Sequence, residues 1–420
     1  MRRLNQKTTL FCLMVALLMI KGSSKGQIAK SNTGRMILQF SETHPLTHPK
    51  YMIPRHGWDR MRERGTFITT GVYDITKETF SVYIPESYDG SQAFGLIVWI
   101  SAGDKGSPRD SYLPVLDKLQ LLWIGANDIG NNRYTPDRMA LTLDGLHNIL
   151  QRYHVDPERI YVSGLSGGGR VASHLAIIYP ELFAGGFYII GCDYRENLPS
   201  DVEGQYWPGF WPFSNDTLVE IGHSNRYTLL TGSHDFNQSG TEKVWQAYHS
   251  EGKKWIAYVE VPEMDHRYPN AHWYHIGLTA LDRPLRLMND SLNILPHFPA
   301  KSDVSPNWIQ EQMNIAKNLS ESSPLQSAFI LDRVSQVSKG FPENKEVKTL
   351  LKYMLEDKSL KKALRIRIKI HQWHLKLLEK GYSKNWIKTM LKLERSIQSV
   401  IEENPSESLR QELQWMLEIL

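Results

Sequence analysis

The chain has 420 residues, of which 41% are hydrophobic and 22% are charged, an ordinary composition for a globular protein. Its length favours two domains, or one large domain with an appendage, and a core of that size needs no stabilising disulfides. The formal net charge of +4 is too small to indicate a nucleic-acid partner.

The N-terminus has the order of a secretory signal peptide. Basic residues come first, an apolar run of about 11 residues covers positions 10–20, and glycines and serines follow. The run is shorter than the roughly 20 residues of a membrane-spanning helix. We therefore expect a signal peptide over residues 1–26, cleaved between Ser24 and Gln27, and a periplasmic or secreted protein without a stable membrane span. Lys21 leaves an uncleaved anchor as the alternative.

The chain contains two cysteines. Cys12 lies in the apolar run and would be removed with it. Cys192 would then be single, so the mature protein could form no internal disulfide and would depend on its core for stability.

From residue 66 onward, apolar runs alternate with helical patterns. The predicted strands are 80–84, 95–100, 121–125, 160–162, 187–190, 227–230 and 256–261, preceded by one at 36–40. Helical spacing predicts helices from Thr135, over 171–178 and around Gln246. This alternation predicts an α/β fold with a doubly wound, mostly parallel sheet covered on both faces.

The pattern changes near Pro296, where prolines interrupt a polar stretch. The chain beyond it is rich in Lys, Glu and Leu, and apolar residues keep helical spacing. We predict an α/β domain over 27–300 and a helical C-terminal domain of unknown role over 301–420. Residues 365–370 also alternate like a strand, which leaves a second interpretation of that segment.

Residues 164–168 read Gly-Leu-Ser-Gly-Gly and lie between a predicted strand and a predicted helix. This G-x-S-x-G pattern in that context is typical of a nucleophile elbow, where a serine lies on a strained strand-to-helix turn. Side chains at the flanking positions would collide in so tight a turn. Ser166 is therefore the candidate nucleophile, and the alternative is a glycine-rich turn that contains a serine by chance.

A serine nucleophile needs a base and an orienting carboxylate, which follow in that fold in the order Ser, acid, His. Asp235 comes just after the strand at 227–230, and His266 comes just after the strand at 256–261. Both positions lie at the edge of the sheet where α/β proteins bind ligands.

Other residues could take these roles. Asp193 and Asp265 are alternatives for the acid, and His272 and His275 are alternatives for the base. Asp265 is adjacent to His266, and neighbouring side chains in an extended segment point apart, which makes it a poor partner for that imidazole.

An oxyanion hole needs two backbone N–H groups. Gly167, the residue after the nucleophile, would supply one, and the loop after the third strand would supply the other, for which we favour Ala102. The histidines His266, His272 and His275 have the spacing H-x5-H-x2-H, but this is a weak pattern for a metal site because it includes neither Cys nor H-E-x-x-H.

Two segments are candidates for substrate binding. Residues 206–213 are dense in aromatics, including Trp207 and Trp211, and would form a wall for an apolar substrate or a packed loop over the sheet. The polar stretch that begins at Asn127 follows a strand end and would line the pocket.

Residues 156–169, Asp-Pro-Glu-Arg-Ile-Tyr-Val-Ser-Gly-Leu-Ser-Gly-Gly-Gly, resemble the elbow of the polyhydroxybutyrate depolymerase and feruloyl-esterase-like branch of α/β-hydrolases. The segments around Asp235 and His266 match that branch's acid and base segments, and the resemblance covers roughly residues 77–285. It implies an α/β-hydrolase fold with Ser166 as nucleophile, Asp235 as orienter and His266 as base. Residues 101–103, Ser-Ala-Gly, depart from the usual His-Gly start of the oxyanion loop.

The sequence thus predicts an exported serine hydrolase that cleaves a carboxylic ester of a small molecule or a polymer through an acyl-enzyme. No cofactor, metal or nucleic acid is required by this chemistry. A serine peptidase of the same fold and a non-catalytic binding or scaffold protein are the alternatives. The ester itself, the role of the C-terminal region and the oligomeric state stay open.

Overall fold

The computed structural model describes residues 33–59, 73–210, 216–288 and 299–420. The predicted signal peptide, residues 1–26, lies outside these ranges. The chain divides into two compact units, and the division falls between Arg283 and Pro284. The domain limits that the sequence suggested, 27–300 and 301–420, stay predictions.

The first unit contains one large sheet. The strands are β1 (Gly34–Gln39), β2 (Thr79–Ile84), β3 (Phe94–Ile100), β4 (Leu121–Ala126), β5 (Val155–Leu165), β6 (Gly185–Ile189), β7 (Leu198–Pro199), β8 (Tyr206–Trp207), β9 (Arg226–Gly232) and β10 (Ile256–Val261). Eight of them form a sheet in the order β1-β2-β4-β3-β5-β6-β9-β10, while β7 and β8 pair with each other. Strand β2 runs antiparallel to β1 and β4, and the other pairs in the sheet are parallel.

Helices lie between the strands, as the alternating pattern predicted. They are α1 (Pro49–Arg55), α2 (Leu113–Leu119), α3 (Thr135–Leu150), α4 (Gly167–Ile178), α5 (Asp216–Ser224), α6 (Gln238–Ser250) and α7 (Ala271–Met288), which spans the division between the units. Every residue of β3, β4 and β6 is buried. Strands of a parallel sheet are buried in this way because helices cover both faces, so the predicted doubly wound fold class is confirmed.

The order of the strands reverses between β3 and β5. From β3 the chain crosses to β4 on one side, whereas from β5 it continues to β6, β9 and β10 on the other. A crevice at the carboxyl ends of the strands forms at such a switch point, and ligands of open α/β sheets bind there. The loop after β5 carries Ser166 at this crevice, and the loops after β9 and β10 carry Asp235 and His266.

The loop after β3 is held against β4 by close backbone packing. The Trp123 indole N–H donates to the Gly106 carbonyl at 2.7 Å, and the Gly106 N–H donates to Asn127 Oδ1 at 2.9 Å. A Cβ on Gly125 would lie 2.3 Å from the Gly106 carbonyl oxygen, so only glycine allows this approach. The position of residues 101–106 therefore depends on β4.

The second unit is helical. Its helices are α8 (Pro306–Leu319), α9 (Pro324–Val337), α10 (Asn344–Met354), α11 (Lys358–Lys380), α12 (Trp386–Glu402) and α13 (Glu407–Ile419). Residues 365–370 are part of α11 and not a strand, because Ile366 and Ile370 are buried on the same face as Ala363 and Leu377. None of the helices in the described ranges is long and apolar enough to cross a membrane.

A buried carboxylate joins α3 to the N-terminal segment. Asp144 Oδ1 accepts from the His44 N–H at 2.7 Å and from the Thr47 hydroxyl at 3.2 Å, and Oδ2 accepts from the Tyr73 hydroxyl at 2.5 Å. Burial raises the pKa of Asp144 from 3.8 to about 6, although these hydrogen bonds act in the opposite direction.

The substitution Gly125→Ala tests the packing of the loop after β3. The added methyl meets backbone, which cannot rotate away, so we expect a loss of about 1–3 kcal/mol in the free energy of unfolding. Gly222→Ala is the control, because its Cβ would meet nothing closer than 3.6 Å and alanine favours the helix. Urea unfolding measures both, and equal stability of the two variants would contradict the packing described.

The pH dependence of stability tests the Asp144 carboxyl. Because the pKa of Asp144 is raised on folding, the folded state holds more protons between about pH 4 and about pH 6, so stability from this group falls as pH rises through that window. A shift of about two units corresponds to about 3 kcal/mol. Asp144→Asn should remove this slope, as measured by urea unfolding at several pH values. Parallel curves for variant and wild type would show that folding does not raise the pKa of the Asp144 carboxyl.

Candidate active site

Ser166 lies on the turn between β5 and α4 in a backbone conformation that residues with a side chain rarely adopt. Its φ is 54° and its ψ is −120°. A Cβ at Gly164 would lie 2.4 Å from the backbone of Gly168. A Cβ at Gly168 would in turn lie 2.0 Å from the carbonyl oxygen of Ile100. The turn is therefore as tight as the G-x-S-x-G pattern predicted, and its strain is confined to the serine.

His266 makes hydrogen bonds on both sides of its ring. Its Nε2 lies 2.8 Å from Ser166 Oγ, and its Nδ1 lies 2.7 Å from Asp235 Oδ1. Because a carboxylate only accepts, Nδ1 carries the proton, and Nε2 is left to accept the serine hydroxyl. An imidazole so oriented can remove the proton of a serine hydroxyl and make it a nucleophile. The structure thus brings together the three residues that the sequence singled out.

The Asp235 carboxylate is fully buried, and both of its oxygens accept hydrogen bonds. Oδ1 accepts from the Asn237 backbone N–H at 3.1 Å in addition to His266, and Oδ2 accepts from the Thr231 hydroxyl at 2.8 Å. Burying a carboxylate is costly unless it is hydrogen-bonded. These donors therefore hold the carboxylate in one orientation toward the imidazole.

A polar network lies behind Asp235. The Asn237 amide donates to the Ile190 carbonyl at 2.8 Å and accepts from the Arg170 guanidinium at 3.0 Å. Arg170 also pairs with Asp193, which bonds to His174 Nε2 at 3.0 Å. Burial alone would raise the pKa of Asp193, but its bonds to His174 and Arg170 lower that pKa below the ordinary value. The network ties the segment after β9 to α4 and to the end of β6.

The alternatives for acid and base have other contacts. Asp193 belongs to the network just described, and Asp265 pairs with Arg267 at 3.1 Å. His272 is exposed and packs edge-on against Trp273. In the described ranges, no group of three or more His, Cys, Asp or Glu side chains is arranged to hold a metal ion.

Two backbone N–H groups, those of the predicted oxyanion donors, have no hydrogen-bond partner in the part of the chain that the structure describes. They belong to Gly167, the first residue of α4, and to Ala102, after β3. The first N–H groups of a helix have no partner within that helix. The Gly103 N–H, by contrast, donates to the Ser101 hydroxyl at 3.1 Å. Gly167 and Ala102 are therefore free to bind an oxyanion, whereas Gly103 is not.

The predicted substrate-binding residues differ in their surroundings. Trp207 lies against Gly240 of α6, where a Cβ would be 3.0 Å from the indole. Trp211 lies outside the described residues. The Asn127 side chain accepts from Ser81 and from the Gly106 N–H and donates to Thr79, so its bonds hold β2, β4 and the loop after β3 together. Substrate contact by these three residues stays a prediction.

Two further residues at the site were not singled out by the sequence. Phe236 is 70% exposed and stacks on the His266 ring at 4.1 Å. The Asn131 carboxamide lies against Gly167, where a Cβ would be 2.1 Å from its oxygen, and the Asn131 N–H donates to the Ala102 carbonyl at 2.9 Å. Phe236 follows Asp235 directly, and Asn131 belongs to the polar stretch that begins at Asn127. Both residues come soon after a strand end, and that position was the sequence feature that could have identified them.

Among solved structures, the chain is similar to the apoenzyme of S-formylglutathione hydrolase from Staphylococcus aureus, with 12% identity and a TM-score of 0.39 over 60% of this chain and 99% of that chain. A ferulic acid esterase gives the same identity, coverage and TM-score. Esterase 2 of Thermogutta terrifontis, phosphonylated by sarin, is 16% identical with a TM-score of 0.37, over 52% of this chain and 92% of that chain. No protein-family model matches the chain, and no curated protein matches it.

The fold is defined by features of the chain itself, namely the mostly parallel sheet, its strand order and the elbow after β5 that presents Ser166. On these features, the first unit of the chain has the α/β-hydrolase fold that the sequence predicted.

Proposed function

We propose that this protein is a serine hydrolase that cleaves carboxylic esters through an acyl-enzyme. The observation that carries the proposal is the hydrogen-bonded series Ser166–His266–Asp235 at the strand ends, with distances of 2.8 and 2.7 Å. A binding or scaffold protein would have no need for a strained serine aligned with an oriented imidazole.

In the first half of the reaction, His266 Nε2 takes the hydroxyl proton as Ser166 Oγ attacks the ester carbonyl carbon. The negative charge that develops on the carbonyl oxygen is bound by the N–H groups of Gly167 and Ala102. Asp235 stabilises the imidazolium and keeps the ring in place. The carbon–oxygen bond to the alcohol then breaks, and the alcohol leaves with the proton from Nε2.

In the second half, His266 takes a proton from water, and the resulting hydroxide attacks the acyl carbon. The same N–H groups bind the second oxyanion. The bond to Ser166 Oγ breaks, the serine regains its proton from Nε2, and the carboxylic acid is released. The protein's own residues supply every proton transfer in this cycle.

We further propose that the protein acts outside the cytoplasm. The basic, apolar and small-residue order of residues 1–26 supports this proposal. Comparing the N-terminal sequence of the protein recovered from the extracytoplasmic fraction with that of the full chain tests it. We expect a new N-terminus between Ser24 and Gln27, and recovery of the full-length chain only in the cytoplasm would contradict the proposal.

A fluorophosphonate probe, which reacts with activated serines, tests the nucleophile. We expect labelling of the wild type on Ser166, no labelling of Ser166→Ala, and loss of ester hydrolysis in that variant by about 10⁴–10⁶-fold. Ser163→Ala is the matched control, because Ser163 lies three residues earlier and donates only to the Phe187 carbonyl.

Each outcome of the labelling experiment has a separate meaning. An unlabelled wild type would contradict the enzyme proposal and favour a binding or scaffold protein. Labelling that survives Ser166→Ala would contradict the residue assignment. Aryl esters with varied acyl groups, run beside peptide anilides, distinguish an esterase from a peptidase, and we expect the esters to be hydrolysed faster.

The substitution Thr231→Val tests the orientation of Asp235. It removes the hydroxyl that bonds to Oδ2 at nearly constant volume, so the carboxylate can rotate, and we expect kcat to fall about tenfold. Thr228→Val is the matched control, since it removes a buried hydroxyl of the same strand that donates to the Gly277 carbonyl at 3.0 Å. Equal kcat values for the two variants would show that the Thr231 bond is only structural.

A further inference from the structure

An open cleft adjoins the candidate site. Its volume is about 730 Å³, and the loop after β3 forms much of it, including Ser101 and Gly103 beside the proposed oxyanion donor. Tyr268, two residues after His266, lies on its wall. A substrate that is held at Ser166 and extends past residues 101–103 would enter this cleft.

The cleft is lined by more positively charged than negatively charged side chains. Arg35 pairs with Asp110 and also donates to the Pro108 carbonyl at 3.0 Å, so those two opposite charges neutralise each other. Lys105 and Arg109 are exposed, and among the described residues neither has a carboxylate partner.

The remaining acid of the cleft is Asp104. One of its carboxylate oxygens lies 3.0 Å from the position of a Cβ on Gly130, so it is directed to the backbone there. The cleft therefore presents two free cations and one carboxylate, and a cleft with excess charge of one sign concentrates its field on a bound group of the opposite sign.

Arg109 is held in a defined position. Its guanidinium carbon lies 4.7 Å from the centre of the Tyr268 ring, and the neighbouring Tyr112 hydroxyl donates to the Pro269 carbonyl at 2.7 Å. The Arg109 N–H groups have no hydrogen-bond partner among the described residues, and a guanidinium can bind a carboxylate with two parallel hydrogen bonds. Both contacts join this wall to the segment that carries His266.

We propose that Arg109 and Lys105 bind a carboxylate of the substrate, so that the preferred esters are anionic ones with the carboxylate a few bonds from the scissile carbonyl. This inference rests on the proposed function and specifies its substrate class. Arg109 supplies a planar fork and Lys105 a second point charge, a combination suited to a carboxylate. Neither residue takes part in bond breaking, so both act on specificity.

Matched ester pairs test the proposal. On the acyl side, p-nitrophenyl hydrogen glutarate is compared with p-nitrophenyl valerate, and on the alcohol side, para-acetoxybenzoate is compared with its methyl ester. We expect wild type to favour the anionic member of one pair in kcat/KM by about tenfold at low salt, with the preference falling as salt screens the charges. Which pair shows the preference identifies the side of the ester that enters the cleft.

The variants Arg109→Gln and Lys105→Gln, singly and together, should lower kcat/KM for the anionic ester about tenfold and change that for the neutral ester less than about twofold. Lys118→Gln is the matched control, because Lys118 is an exposed lysine of α2 outside the cleft. If wild type and all variants hydrolyse the anionic and neutral esters with equal kcat/KM, the inference is overturned and the proposed function is left intact.

Protection from the fluorophosphonate probe gives a second readout that needs no ester turnover. Glutarate should slow labelling of the wild type and should not slow labelling of the Arg109→Gln, Lys105→Gln double variant. Absence of protection in the wild type would overturn the carboxylate site. An unlabelled wild type would instead show that the proposed function has failed.

Discussion

The backbone at the end of β5 is under a constraint on which the rest of the site depends. Ser166 has a φ of 54°, and its N–H donates to the Ile189 carbonyl at 2.8 Å. Residues held in this region of φ and ψ cost about 1–3 kcal/mol and persist only where their surroundings leave no alternative. Here α4 packs with glycine contacts against β3 and against the segment after β6, so relaxing the serine would move three strand ends.

The polar groups behind the serine are hydrogen-bonded to one another and to the backbone of the same strand ends. Asp235 is buried with three donors, and Asn237 and Arg170 connect its segment to α4 and β6. If one donor were missing, the buried carboxylate would destabilise the folded state by about as much free energy as the backbone strain at Ser166. Ile190, which is fully buried and has a φ of 48°, adjoins this network, so strain and polar bonding occur at the same strand ends.

The surroundings of the site divide into a fixed part and an open part. Gly167 and Ala102 hold their N–H groups at positions set by the sheet and by the packing of the loop after β3 on β4. Phe236 and Arg109, in contrast, present exposed side chains. Phe236 stacks on the ring of the proposed base, and Arg109 lies over the ring of Tyr268, two residues after that base. Reaction chemistry would then depend on backbone and buried groups, while substrate choice would depend on exposed side chains that substitution can change without loss of fold.

The sequence by itself determined the parallel core strands, the elbow and the candidate order Ser166, Asp235, His266, because strand periodicity and glycine spacing are local properties of the chain. It also predicted helices throughout the second unit, although the alternation at residues 365–370 resembled a strand until the burial of Ile366 and Ile370 was known.

Only the tertiary structure decided which side chains meet. The side-chain amide of Asn127 joins β2 to the loop after β3 by hydrogen bonds, and Asn131 of the same stretch lies against the elbow. Phe236 meets His266 and Arg109 meets Tyr268 because strand order and loop packing bring together residues far apart in the chain. Such contacts leave no periodic signal in the sequence, because they depend on where separate elements meet and not on the spacing within any one of them.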